Sequence, residues 1–320
     1  MNSVVAELRE AIRRALRAVP DLAAVLQAAE AEHRRLTPYG ILMLLALLLP
    51  FVGLILGSPL GRWGGWVGFG AGALLLVAYW IWYSNRVDAL TITVRERAVV
   101  PALGALGFRF QEAVPEELKE QRRAVLADVF SAPKVEMSHS AVGTLGGRAV
   151  HVTHAVAQRY MGRGLYRTVF SGLVATAAAP RVGQRVLVVR EMAVLGAFED
   201  VKRRLAGLRR VELPDPAFEA LYTVYAQSED PSAALHPFLR DALVQLGEVP
   251  RARPVIAFHE GYAHIFLPRR EWLNPAAWDR VSEDHLISDL EALLQATFLA
   301  AMAAGASPAQ LLASLRDCSA

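Results

Sequence analysis

Two uncharged stretches, residues 36–61 and 63–85, are separated by Arg62 alone. A bilayer core about 30 Å thick needs roughly 20 apolar residues of helix, and each stretch is long enough to span it. A helix that is apolar all round has no face for water, so it must meet lipid or be wrapped in protein. The pattern predicts a transmembrane hairpin with a small turn at Ser58-Pro59-Leu60-Gly61. Neither stretch contains Asp, Glu, Lys, Arg or His, the residues that mark ion paths and proton relays. The hairpin reads as an anchor rather than as a channel or transporter.

Basic residues in short flanks set orientation. Arg34 and Arg35 precede the first stretch, Arg86, Arg95 and Arg97 follow the second, and Arg62 stands between. Both termini are therefore expected in the cytoplasm. Tyr79, Trp80, Trp82 and Tyr83 would anchor one headgroup level, and Trp63 and Trp66 the other. Pro50 is expected to kink the first span. Gly53 and Gly57, with Gly64, Gly68 and Gly72, recur at steps of four. Such spacing lets backbones approach closely, either within the hairpin or between two copies. A polar, helix-patterned segment comes first, so a cleaved signal peptide is not expected.

The chain has 320 residues, 54% of them hydrophobic, and a formal net charge of +3. Residues 86–320 carry 27 basic and 26 acidic side chains, which argues against nucleic acid as a partner because that needs a net basic footprint. Cys318 is the only cysteine, so no intramolecular disulfide is possible. Asp317 holds the position a prenylated cysteine would need.

Before the hairpin, Val4, Val5, Leu8, Ile12, Leu16 and Val19 recur at helical steps with arginines mostly off that face. This amphipathic helix could lie on anionic lipid or dock on the chain's own soluble part. A second helix is expected from Asp21 toward Arg35. Helices are expected at 94–106, 115–130, 198–208, 216–226, 231–246, 285–304 and 307–316. Strands are expected at 148–160, 166–176 and 185–190, with a strand pair at 253–259 and 262–267 around Glu260-Gly261. Helices and strands come in blocks, which predicts an α+β class. The expected organisation is 1–38 amphipathic helices, 39–84 the two-helix transmembrane hairpin, and 85–320 a cytoplasmic α+β domain.

The segment Tyr166-Arg167-Thr168-Val169-Phe170-Ser171-Gly172-Leu173 resembles a hallmark of a bacterial domain-of-unknown-function family, DUF3137, whose members carry an N-terminal membrane hairpin. The resemblance continues from Leu208 through Glu219, at Val224-Tyr225, at Leu235-His236-Pro237-Phe238-Leu239 and at Gly261-Tyr262-Ala263-His264-Ile265. It spans roughly residues 137–268. The family's acidic turn after Val-Tyr reads Ala226-Gln227-Ser228-Glu229-Asp230 here, so that turn departs from the pattern. The resemblance implies architecture and address, and brings no activity, cofactor or catalytic residue.

Local motifs give no reaction. His259 and His264 are five apart around a Glu-Gly turn, not at the His-Glu-x-x-His spacing that puts two imidazoles on one helical face. His151 and His154 are three apart on a strand and so point to opposite faces. Gly143-Thr144-Leu145-Gly146-Gly147 lacks the Gly-Lys-Ser/Thr of a phosphate loop and reads as a turn. Ser171 lacks a Gly-x-Ser-x-Gly elbow. Glu212, Asp215 and Glu219 read as helix-entry carboxylates. No cofactor or metal is expected.

From residue 138 to 190 there are seven arginines and no acid. Arg148, Arg159, Arg163, Arg167, Arg181 and Arg185 are the candidate contacts to anionic lipid or a protein partner, with Arg190 beside them. The alternative is pairing with acids such as Glu199, Asp200, Glu212 or Asp215. The expected function is a membrane-anchored, non-catalytic binding or regulatory module working at the cytoplasmic membrane face, with lipid and a protein partner as its contacts. The alternatives are a membrane-bound hydrolase or other enzyme using His151, His154, His259 or His264 with carboxylates, and a structural subunit of a larger complex.

Overall fold

The structure is a computed structural model that describes residues 2–57, 62–190, 207–247, 254–269, 272 and 281–317. The expected turn at 58–61, most of the helix expected at 198–208, and Cys318 lie outside them. In chain order the helices are α1 (Asn2–Arg17), α2 (Leu22–Ala46), α3 (Leu49–Gly57), α4 (Arg62–Val94) and α5 (Val100–Ala105), with a π turn at Arg95–Val99. Strand β1 (Phe108–Gln111) and helix α6 (Glu116–Phe130) follow. Then come β2 (Lys134–Leu145), β3 (Arg148–Gly162), β4 (Leu165–Ala178), β5 (Val186–Arg190) and β6 (Arg209–Val211). The chain continues through α7 (Pro216–Glu219), β7 (Tyr222–Ala226), α8 (Pro237–Gly247), β8 (Val255–His259), β9 (Tyr262–Pro268), α9 (Glu283–Ala303) and α10 (Pro308–Asp317). Two compact units divide these elements.

One unit comprises Val19–Val99 and Leu273–Leu286. Its first uncharged stretch is not one helix. Helix α2 stops at Ala46, Leu47 and Leu48 form a turn, and α3 begins at Leu49. Pro50 is the reason. It has no N–H to give the Ala46 carbonyl, and its ring would collide with that carbonyl, whereas it fits the first turn of a new helix. The helical stretch Trp63–Ala105 runs 43 residues with mean hydropathy 1.5 and only 11% of its most apolar window buried. It is long and apolar enough to cross a membrane. It loosens to a π turn at Arg95–Val99, just before Pro101, where an α-helical carbonyl would meet the proline ring.

Close approach explains the glycines. A methyl on Gly53 of α3 would overlap the Gly68 carbonyl of α4, and one on Gly72 would overlap the backbone at Leu49. A methyl on Gly70 would meet open space. Alanine is the better helix former by about 1 kcal/mol, so Gly70→Ala should be neutral or mildly stabilising. Gly68→Ala should lose that gain to overpacking and cost about 1–3 kcal/mol. Thermal unfolding of the two variants in detergent checks this, and equal melting temperatures would refute the close-packed seam.

The other unit comprises Met1–Ala18, Val100–Trp272 and Ile287–Ala320. Nine described strands form one antiparallel sheet in the order β1-β2-β3-β4-β9-β8-β5-β7-β6. The β2–β3, β3–β4 and β8–β9 turns are each two residues long with positive φ at both, as a type I′ hairpin turn requires. Only Gly146–Gly147 of the expected 143–147 turn is a turn, because Gly143 to Leu145 finish β2.

Helix α6 lays Val125, Leu126 and Val129 on a sheet face made by Ala155, Ala157, Phe170, Val174, Leu187, Ala257 and Phe266. Phe130 stacks on Phe170 at 4.7 Å and meets Phe266 edge-on at 5.4 Å. Residues of opposite parity, such as Val152, Leu173 and Ile265, are fully buried as well, so the sheet is covered on both faces. The stretch Glu283–Ala303 also has a membrane-like mean hydropathy of 1.4, but 78% of that window is buried in protein. Its Leu290, Leu293, Leu294 and Leu299 belong to the core.

Helix α1 docks here. Leu8, Ile12 and Leu16 are buried, Arg9 pairs with Glu291 at 2.6 Å, and Glu7 pairs with Arg316 at 2.6 Å. Those three side chains are occupied by protein, which resolves the lipid-or-protein alternative for this helix within its own unit.

Two expected helices are corrected. Only Pro216–Glu219 of the stretch 216–226 is helical; Tyr222–Ala226 is β7, paired on both edges. Tyr-Thr-Val-Tyr favours a pleated, two-sided environment, and sheet pairing overrides the helix entry signal that Asp215 and Pro216 give. The expected helix at 231–246 begins at Pro237, because a proline disfavours helical backbone at the residue before it.

Candidate functional site

Strands β3 and β4 outrun their neighbours. Pairing of β2 with β3 begins at Lys134 opposite Gln158, and that of β9 with β4 ends at Pro268 opposite Gly172. Past those points the two strands continue with no further strand neighbour among the described residues, to a turn at Arg163 and Gly164, with φ of 53° and 78°. Register shifts near Gln158 and Gly162 add twist to this arm. At its end Tyr160, Met161, Leu165 and Tyr166 are 51%, 57%, 67% and 49% exposed. Four adjoining apolar side chains in water at a hairpin tip are the pattern of a docking surface rather than of a core.

The arm is also basic. Arg159 and Arg167 sit directly opposite each other, an arrangement that disfavours the strand pair by like-charge repulsion. Arg159 donates from Nη2 to the Phe130 carbonyl at 3.1 Å, which ties the base of the arm to α6. Arg163 and Arg167 are exposed and make no ion pair among the described residues. Lys134, paired with Glu136 at 2.8 Å, lies 5.6 Å from the centre of the Tyr166 ring.

The other candidate arginines lie elsewhere. Arg148 begins β3 and Arg181 follows β4, roughly 36 Å along the strands from the arm; both border a cleft. Arg185 is paired with Asp128 of α6. Arg190 ends β5. The six are thus split between an arm, a cleft and an ion pair, not gathered in one patch. Glu199 and Asp200 lie outside the described residues. Asp215 caps α7 by accepting from Phe218 N at 3.1 Å and pairs with Arg240 at 3.2 Å. Glu219 accepts from Leu213 N at 2.6 Å. These carboxylates are structural.

The histidines separate in the same way. His154 lies near His139, which stacks on Trp272, while His151 belongs to the α6 face. His264 sits opposite Ala257 across the β8–β9 pair, two residues from His259. Among the described residues no three His, Cys, Asp or Glu side chains gather as a metal site would require.

Sequence reasoning missed Arg122. It is 1% exposed beneath α6 and donates from Nε to Thr176 Oγ1 at 3.1 Å, from Nη1 to Thr153 Oγ1, and from Nη2 to the His151 carbonyl at 2.9 Å. The signal was legible: Arg122 occupies the helical face of Val125, Leu126 and Val129 at steps of three, four and seven. The Thr176 hydroxyl, accepting from Arg122, can donate onward to His264 Nδ1 at 3.2 Å. Burial lowers Arg122 to about 10, so it stays charged at neutral pH. Burial, then the charges of Arg122 and His259, hold His264 down at about 3. Burial and Arg122 lower His151 in the same sense. No acid answers the arginine among the described residues, so hydrogen bonds alone compensate its burial.

Arg122→Ala should cost about 3 kcal/mol in chemical denaturation, since charge-assisted hydrogen bonds and packing are lost together. Arg122→Met should cost less, because it refills the space and removes the buried charge. Between the unfolded histidine pKa of 6.5 and about 3, the unfolded chain binds a proton that folded His264 refuses. Stability should therefore fall by about 2 kcal/mol from pH 7 to pH 5. The His264→Gln variant should show a shallower pH dependence, and an unchanged slope would refute the assignment.

Comparison with known proteins bears on the same strands. No curated protein and no solved structure matched the chain. Residues 168–300, from β4 into α9, match a family described as protein of unknown function (DUF3137). Most of β4, the strands β9, β8 and β7 and most of the core helix α9 lie within that match, so the chain is similar to the DUF3137 family over its central sheet and core helix.

Proposed function

We propose that this chain is a non-catalytic binding module, anchored in a bacterial inner membrane by the apolar helices α2 to α4, which grips the anionic cytoplasmic leaflet with the β3–β4 arm. The observation that carries the reading is the arm tip, where Tyr160, Met161, Leu165 and Tyr166 are exposed beside Arg163 and Arg167, which make no ion pair among the described residues. Aromatic and aliphatic side chains flanked by arginines suit the boundary between headgroups and acyl chains. Each basic residue at an anionic surface contributes about 1 kcal/mol, and burying a leucine-sized side chain about 2 kcal/mol. Two arginines with two inserted side chains then supply enough for reversible seating once the anchor has set a high local concentration.

Both termini are read as cytoplasmic from the flanking arginines, with the turn after α3 outside. A protein partner meeting the same tip is the competing occupant.

The test uses full-length protein in nanodiscs. Backbone amides of residues 160–166 should exchange with deuterium more slowly when the lipid contains about one third phosphatidylglycerol than in phosphatidylcholine alone. Replacing Arg163 and Arg167 by Gln should abolish the difference. Equal exchange in the two lipids would discard the leaflet as the occupant and direct attention to crosslinking for a protein partner.

A further inference from the structure

At the end of the β3–β4 pair opposite the arm, a cleft of about 400 Å³ opens between the start of β3, the segment after β4, the entry to α8 and the α9–α10 turn. All four belong to the sheet-bearing unit. Arg148 and Arg181 line it, half-buried and exposed respectively, and neither makes an ion pair among the described residues. His236 lines the cleft as well; its Nδ1 accepts from Phe238 N at 3.4 Å, which leaves Nε2 available to a ligand. Apart from Ser307, the remaining side chains of the wall are apolar, among them Phe238, Leu239 and Met302.

We infer that this cleft binds a small anion, a phosphate monoester or a carboxylate, that carries an apolar group. The two guanidiniums hold the anion, and the apolar group lies against Phe238, Leu239 and Met302. The volume falls in the usual range for a small-molecule site, and a few polar side chains stand in a mostly apolar lining. Guanidiniums without carboxylate partners are the common means of gripping phosphate and carboxylate oxygens. The inference stands apart from the arm and uses none of its residues.

The probe is phenyl phosphate, titrated calorimetrically into full-length protein in phosphatidylcholine nanodiscs. Saturable one-to-one binding is expected, with inorganic phosphate at least about fivefold weaker and phenol not measurable. Replacing both Arg148 and Arg181 by Gln should weaken phenyl phosphate by about tenfold or more, the loss of one charge-assisted contact at minimum. Arg181→Gln alone, at an exposed position, guards against misfolding and should weaken it severalfold. Phe238→Ala should erase the preference for phenyl phosphate over inorganic phosphate. Adding phosphatidylglycerol to the nanodiscs distinguishes two sources of the same chemistry: competition identifies a lipid headgroup, and none identifies a soluble anion. Absence of saturable binding, or full affinity in the double variant, overturns the site.

Discussion

Hydrogen bonding between β3 and β4 runs from Val150 opposite Ala177 to Gly162 opposite Leu165, and the remaining features are arranged on it. Its middle carries the core: Ala155, Ala157, Phe170 and Val174 receive α6, while Val152 and Leu173 face the other way. Its far end leaves the sheet as the apolar, basic arm. Its near end supplies Arg148 and leads to Arg181 at the cleft. A one-residue slip in this pairing would turn every buried side chain of one strand outward and move both sites at once. The two-residue turn at Arg163–Gly164 sets the register at one end, and the neighbours β2 and β9 hold it along the rest.

Arg122 locks α6 to that pair. A buried cation without an acid is tolerated because Thr153, Thr176 and the His151 carbonyl surround it with acceptors. Burial, and then that positive charge, lower the pKa of His264 and His151, and His264 is tied to the arginine through the Thr176 hydroxyl. Hydrogen bonds to fixed partners are directional where apolar contacts are not, which gives α6 a single seat on the sheet.

The apolar helices follow different physics. Trp63, Trp66, Leu74, Leu75 and Trp80 of α4 are more than half exposed, and no polar face compensates for them. The helix Glu283–Ala303 has nearly the same hydropathy and is wrapped in protein. Hydropathy alone does not separate a core helix from a membrane-facing one; the surroundings of the side chains do. Where α3 meets α4, glycines replace side-chain packing with backbone contact.

What the chain's own residues determined was local. Uninterrupted apolar runs with no ionisable group marked the membrane-compatible helices. Alternating β-branched and aromatic residues marked β3, β4, β8 and β9, and Glu260-Gly261 marked the turn between the last two. Asp215 and Pro216 marked a helix start but not its length, because Tyr222–Ala226 becomes a strand only when β5 and β6 offer it partners. The short strands β1 and β6 were invisible for the same reason. Arginines 148 to 185 were recognisable as one unusual run, yet a strand carries neighbours in sequence far apart in space. Only the tertiary structure decided that Arg163 and Arg167 share an apolar tip, that Arg148 and Arg181 share a cleft, and that Arg185 is paired with Asp128. Periodicity records which face a residue occupies; the strand order and the packing of helices on the sheet determine what that face meets.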